Sequence, residues 1–373
     1  MVQALSIAHV DAESGFSGGE VQVFLLMEGL RRAGYRNVLL APPGSRAEGE
    51  ALRRGLETRS AVMRNDLDLR GVLRLRQQLA AAGVDLVHLH TSRATWLGGL
   101  AARWLGLPAI TTRRQDRRVA RSARTRLVYG RLVRRVVAIS PSIGRGLVAG
   151  GVDPERLVTI PSAVDRAALE PARTAAEVRA ELGVANGELL VLTLAALVER
   201  KGVDLLLQAQ AALQGARGVL VVAGDGPERA RLEGLARTLG VLESVRFLGR
   251  REDRADLLGA CDVLALASRA EGLGVAALEG MACGRAVLAA RVGGLAEAVV
   301  HEETGLLVPP DDVAALAAAW RRLRDEPGLR ARLGAAGPRR VDQGFRAEQM
   351  VAAYVRLYRE VLDEAALTAG GPR

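Results

Sequence analysis

Ile160-Pro161-Ser162-Ala163-Val164-Asp165 interrupts an otherwise regular alternation, and what lies on either side of it decides the fold. Ahead of it, short apolar runs at Leu5–Val10, Val38–Ala41, Ala61–Met63, Leu86–His90, Ala109–Thr112 and Val136–Ser140 read as strands. Between them, Glu20–Ala33 and Val72–Ala82 carry apolar residues at helical spacing. Past a polar, alanine-rich stretch ending at Gly187 the alternation restarts. Strands are predicted at Leu189–Ala195, Val219–Ala223, Val245–Leu248, Val263–Ala267, Ala286–Ala290 and Leu306–Val308. Strands separated by helices of about 10–15 residues mean βαβ units and parallel sheets. The expected class is α/β, with two Rossmann-like parallel-sheet lobes facing across a cleft. The boundaries expected are 1–164 and 165–346. Helices follow at Val313–Arg324 and Leu329–Val341, and an amphipathic ending at Phe345–Leu362 suggests that residues from about 347 to 373 return to the first lobe.

The length of 373 residues exceeds one ordinary domain and agrees with two. Hydrophobic residues at 49 % supply two cores, and charged residues at 25 % argue against disorder. The longest apolar runs fall far short of the roughly 20 residues that span a bilayer, so the chain is expected to be soluble or to sit on a membrane surface. The N-terminus carries no basic segment before its apolar stretch and reads as a strand, not a signal peptide. With Cys261 and Cys283 alone there is no disulfide framework or zinc set, which suits a reducing cytoplasm. A net charge of +10 invites a nucleic-acid reading, but aromatic residues at 3 % leave few rings to stack bases, and that class is set aside. One lysine, Lys201, stands among 52 basic residues; the rest are arginine.

Ligands of open α/β sheets bind beyond the carboxyl ends of strands, so the loops there carry the candidate chemistry. Gly15-Phe16-Ser17-Gly18-Gly19-Glu20 follows the first strand and opens a helix whose amides suit phosphate. His88-Leu89-His90 ends the fourth strand, with both histidines on one face. His90 is placed to meet a substrate hydroxyl or phosphate and His88 reads as structural, while His9 and His301 read as structural or solvated. Lys201 stands in the loop opening the second lobe, where an ammonium suits a diphosphate. The most specific segment is Ser268-Arg269-Ala270-Glu271-Gly272-Leu273-Gly274-Val275-Ala276-Ala277-Leu278-Glu279. It sets one carboxylate in a glycine-rich loop and a second near the start of an apolar helix, where sugar hydroxyls make good partners.

These pieces, in this order, resemble the retaining glycosyltransferases of family four, which have the two-lobed GT-B fold. The resemblance runs through almost the whole chain. It rests on Glu271 and Glu279 with seven residues between them, Lys201-Gly202 upstream, and Gly224-Asp225-Gly226-Pro227 in between. It implies that Glu279 holds the ribose of a nucleotide-sugar donor, Glu271 contacts the sugar, and Lys201 faces the diphosphate. Gly272 and Leu273 would line that loop, and amides of Gly274, Val275, Gly18 and Gly19 would meet phosphate. Arg246 and Phe247 would frame the base, and His90 would stand by the reacting sugar. The family's usual Gly-Arg-Leu is Ala195-Ala196-Leu197 here, with Arg200 as the substitute expected on the diphosphate. The usual Asn-Gly before the hinge aspartate is Ser162-Ala163, and the usual Thr-x-His of the first lobe is Thr111-Thr112-Arg113.

The resemblance implies transfer of a sugar, UDP-linked by preference, to a hydroxyl of a glycan or glycolipid in cell-envelope or lipopolysaccharide synthesis. Basic groups would stabilise the leaving diphosphate, so neither a metal nor another cofactor is expected. A nucleotide-sugar epimerase of the same fold and a non-catalytic binding protein are the alternatives. Arginines crowd between Arg113 and Arg135, with Arg113, Arg114, Arg117 and Arg118 foremost. They suggest an anionic acceptor or an anionic membrane on the inner face of the cytoplasmic membrane.

Overall fold

The computed structural model describes residues 5–15, 18–117, 119–213 and 218–369. The chain divides into two compact units, Met1–Ser162 with Ala347–Arg373, and Ala163–Arg346. The first unit holds β1 (Ser6–Val10), β2 (Arg36–Ala41), β3 (Glu57–Ser60), β4 (Leu86–Leu89), β5 (Ala109–Arg113), β6 (Arg135–Ala138) and β7 (Leu157–Thr159). They form one parallel sheet in the order β3-β2-β1-β4-β5-β6-β7. The second holds β8 (Leu189–Leu194), β9 (Gly218–Ala223), β10 (Val245–Gly249), β11 (Val263–Leu266), β12 (Ala286–Ala290) and β13 (Gly305–Val308). Its order is β10-β9-β8-β11-β12-β13.

Each sheet therefore reverses its direction of growth once, between β1 and β4 in the first and between β8 and β11 in the second. Such a switch point leaves a crevice outside the carboxyl ends of the two strands, because the connections leave to opposite sides. Central strands are covered on both faces: β1, β4, β9 and β11 are buried at every residue, and His9 and His88 are polar exceptions near their carboxyl ends.

Two strands correct the sequence reading. The third lies at Glu57–Ser60, not Ala61–Met63, and an unexpected seventh, β7, lies immediately ahead of the interruption at 160–165. Both are edge strands, open on one side and partly exposed; β3 is filled by polar residues, and β7, Leu157-Val158-Thr159, is too short to give an apolar pattern. Ala61 and Met63 are buried, but in the connection beyond β3.

The last helix, Ala347–Ala369, packs on the helix Gly18–Arg32 of the first unit. A Cβ on Gly29 would stand 2.3 Å from Val351 Cγ2, so the glycine permits the close crossing. Tyr354 and Tyr358 of that helix are buried in the first lobe.

Candidate active site

In the second lobe, the loops leaving β8 and β11 meet above their switch point. A short turn, Glu199–Lys201, leads to Gly202 at φ 62° and then to the helix Val203–Ala212. A Cβ on Gly202 would fall 1.9 Å from the Ala267 carbonyl oxygen, so only glycine lets the two loops touch. Lys201 Nζ donates to Glu271 Oε2, which Ser268 Oγ also approaches at 3.3 Å. Both side chains are half-buried, and a lone cation and carboxylate are thus set facing each other at the point where an α/β sheet takes its ligand.

Arg269 clamps the arrangement. Its guanidinium grips Asp204 at 2.9 and 2.7 Å and Asp311 at 2.7 Å, and donates to the Glu199 carbonyl at 2.9 Å. Its amide donates to the Arg200 carbonyl at 2.8 Å. Burial pushes the Asp204 carboxyl up, yet the Arg269 hydrogen bonds and charge leave it below the usual carboxylate range. Sequence reading gave Arg269 and Asp204 no role, since residues 65 positions apart are paired only by the fold.

Gly274, at φ 82°, opens the helix Val275–Ala282 beside this pair. Glu279 lies within that helix and is buried, with Arg254 Nε 3.4 Å from its Oε1. Burial raises the Glu279 carboxyl above its ordinary range, and Arg254 pulls the other way. A desolvated carboxylate with one ion-pair contact at 3.4 Å retains free lone pairs for hydroxyl donors. Gly272 and Leu273 are buried in the same loop, and a Cβ on Gly294 would meet the Gly272 oxygen at 2.2 Å.

The first lobe places His9, His88 and His90 together at its own switch point, with His9 and His88 in register across β1 and β4. His9 Nδ1 lies 3.0 Å from His90 Nε2, and Arg114 Nη1 lies 3.2 Å from His90 Nδ1. His88 is held from both sides, by Tyr358 Oη and Thr112 Oγ1, each at 2.7 Å. Tyr354 Oη reaches the same threonine at 2.9 Å. Burial drives the imidazole pKa values down, that of His9 to about 3, with Arg114 adding to the effect. Asp11, buried just past β1, is pushed up to about 7, chiefly by desolvation; the Glu13 amide and Arg114 oppose this, and Glu20 adds to it.

Three imidazoles could ligate a metal, but the neighbours suit another role. Both nitrogens of His88 already face hydroxyls, and a guanidinium stands against His90. The chain also contains an Asp-x-Asp, Asp66-Leu67-Asp68, whose carboxylates pair with Arg124 and Arg74 at 2.6 and 2.9 Å.

The remaining expected site residues are placed as follows. Arg200 is exposed, adjoining Lys201, with Ala196 exposed in the same loop. Gly18 and Gly19 open the helix Gly18–Arg32 at the first lobe's switch point. Arg246 stands at the amino end of β10 and donates to the Leu182 and Glu243 carbonyls, so it is not brought to Lys201 and Glu271; Phe247 packs on the core. The arginines of 113–135 do not share one face. Arg113 donates to Ser92 Oγ, Arg124 pairs with Asp66, Arg134 bonds Thr368, and Arg135 pairs with Glu364; Arg117 is exposed. Arg118 lies outside the described residues.

Two family models match the chain: "Glycosyltransferase Family 4" over residues 16–168 and "Glycosyl transferases group 1" over 175–340. A D-inositol 3-phosphate glycosyltransferase of Salinispora arenicola is 32 % identical over 335 residues, covering 81 % of this chain and 73 % of that one. The lipopolysaccharide core biosynthesis glycosyltransferase LpsD of Rhizobium meliloti is 36 % identical over 180 residues, 48 % of this chain and 52 % of its own. Among solved structures, Anabaena HepE in complex with UDP-glucose superposes with a TM-score of 0.85 at 21 % identity, over 95 % of this chain and 100 % of that one.

Proposed function

The chain belongs to glycosyltransferase family 4 and is a glycosyltransferase with the GT-B fold, and on that premise we propose that it moves a hexosyl group from UDP to an acceptor hydroxyl with retention at the anomeric carbon. The acceptor is a glycan or glycolipid of the cell envelope, made at an anionic membrane surface, and no metal takes part. The observation that carries the reading is the Lys201–Glu271 pair seated over the β8/β11 switch point beside the Gly274 helix start.

In this reading the donor diphosphate takes Lys201 from Glu271, and the freed carboxylate turns to the sugar hydroxyls. As the bond from C1 to the diphosphate breaks, negative charge grows on the leaving oxygen. Lys201, Arg200 and the amides of Gly274 and Val275 stabilise it. The acceptor oxygen bonds to C1 on the face the diphosphate leaves, and its proton passes to the departing phosphate. Glu279 accepts hydrogen bonds from the ribose. On the acceptor side His90 gives up its Arg114 contact to meet the reacting sugar, kept neutral by burial so that it hydrogen-bonds without adding charge. The kinship to LpsD supports an envelope acceptor, and the likeness to HepE supports a UDP-linked donor.

The test is turnover of UDP-sugars with a panel of glycan and glycolipid acceptors, with the product anomer assigned by NMR and EDTA present in a parallel series. Retention, dependence on acceptor and indifference to EDTA are expected. Inversion at C1 or loss of activity in EDTA overturns the corresponding part. Interconversion of the donor sugar without any acceptor would instead establish an epimerase.

A further inference from the structure

Four of the eight large apolar side chains that stand exposed among the described residues gather on one face of the first lobe. Leu67 is 87 % exposed, Leu69 74 %, Leu73 44 % and Trp104 59 %. Leu69 and Leu73 are four apart on the helix Leu69–Ala82, so they share a face. Arg76 continues that face, its guanidinium 4.7 Å from the centre of the Trp104 ring on the neighbouring helix Ser92–Leu105. The strip is therefore continuous from one helix to the next.

Its leucines are held outward by a rigid loop. Asp68 caps the helix by accepting from the Gly71 amide at 2.8 Å, and also takes the Arg64 amide at 3.1 Å and Arg74 at 2.9 Å. The Asn65 side chain accepts from the Leu67 amide at 2.9 Å, and Trp96 Nε1 donates to the Asp66 carbonyl at 2.8 Å. Both acids of the loop are neutralised by arginine, Asp66 by Arg124 and Asp68 by Arg74. Arg64, Arg70 and Arg103 are exposed at its rim, with no acid within ion-pair distance among the described residues. Arg64 shares the charge of Asp68, which leaves Arg70 and Arg103 in excess, and apolar tips fringed by surplus arginine match the chemistry of a bilayer interface, where acyl chains meet anionic phosphates. A second copy of the chain is disfavoured, since a twofold contact would set the like-charged rims against each other.

We propose that Leu67, Leu69, Leu73 and Trp104 form a docking face that inserts into the headgroup region of an anionic bilayer while the rim arginines meet lipid phosphates. This deepens the reading of a lipid-borne acceptor and rests on it. It also relocates the membrane contact from the 113–135 stretch, much of whose charge is spent within the lobe.

The experiment is co-sedimentation of the full chain with mixed phosphatidylglycerol–phosphatidylcholine vesicles and with phosphatidylcholine alone. The chain should bind the anionic vesicles, with affinity falling as salt rises. The double variant Leu67→Gln/Leu69→Gln should weaken that binding roughly tenfold or more, at an unchanged melting temperature. Leu242→Gln, an exposed leucine of the second lobe, should change nothing. Equal binding by the chain and the double variant, or no preference for the anionic vesicles, overturns the proposal. So does a dimer of the unsubstituted chain, seen by light scattering, that the double variant dissolves. Turnover of UDP-glucose with a soluble acceptor, measured on the same samples, reports on the transferase reading separately.

Discussion

The two switch points share one geometry and are furnished in opposite ways. Over β8 and β11 stands a cation facing a carboxylate, Lys201 with Glu271. Over β1 and β4 stand three imidazoles that burial keeps neutral, tied to tyrosines of the last helix and to a single arginine. In the proposed reaction the charged donor is met by charge, and the neutral sugar hydroxyl by a rigid polar scaffold. The same topology thus carries two kinds of furnishing, and the difference lies in a handful of side chains at the strand ends.

The contrast breaks most readily at Lys201. Replacing it by alanine should cut turnover roughly a hundredfold, the scale for losing one group that stabilises developing charge. His9→Asn should cost no more than a few-fold, and steady-state kinetics on both variants decide the matter. Equal losses would mean that the first lobe shares the charge-bearing work.

Acid sharpens it next. A histidine whose folded pKa lies below its unfolded value takes up its proton on unfolding, so its contribution is complete above the unfolded pKa and is lost as pH falls. For His9, with values of 6.5 unfolded and about 3 folded, the loss should be about 3 kcal/mol by pH 4.5. His88 and His90 act in the same direction. Asp11 acts against them: raised from 3.8 to about 7, it favours the folded state at low pH and gives up that contribution as pH rises to 7. Urea denaturation between pH 4.5 and 7 should show stability climbing with pH, and more steeply in Asp11→Asn.

Arg269→Ala should lower the stability of the second lobe by about 2 kcal/mol, because it removes charged hydrogen bonds to Asp204 and Asp311. Donor KM should rise with it, since the loops carrying Lys201 and Glu271 lose their tie. The smallest change is Tyr358→Phe, which leaves His88 Nδ1 without its hydroxyl and should cost about 1 kcal/mol by thermal denaturation.

Legibility in the sequence followed burial. The central strands β8, β9, β11 and β12 are near-continuous apolar runs, and their positions can be read directly. Glu57–Ser60 and Leu157–Thr159 are edge strands whose exposed sides admit Glu, Arg and Thr, so no pattern marks them. Among site residues, Lys201 stood out because arginine fills every other basic position, and Glu271 with Glu279 because carboxylates are rare in apolar, glycine-rich surroundings. His9 gave no such signal. It joins His88 and His90 only through the β1–β4 register, which brings together residues 79 positions apart. Arg246 misled for the converse reason: its strand was placed correctly, but its position at the amino end, and the carbonyls it binds there, are properties of the packed sheet.

The return of the last helix to the first lobe has a consequence for synthesis. A ribosome completes all of Ala163–Arg346 before it supplies Tyr354 and Tyr358. Until then His88 Nδ1 lacks its tyrosine hydroxyl, Nε2 having only Thr112, and the face around Gly29 is uncovered. The usual order, in which an N-terminal domain folds first, is therefore reversed at the final step. The second lobe can mature while the first still waits for its closing helix, and a chain cut short near its end would leave the histidine cluster open to water.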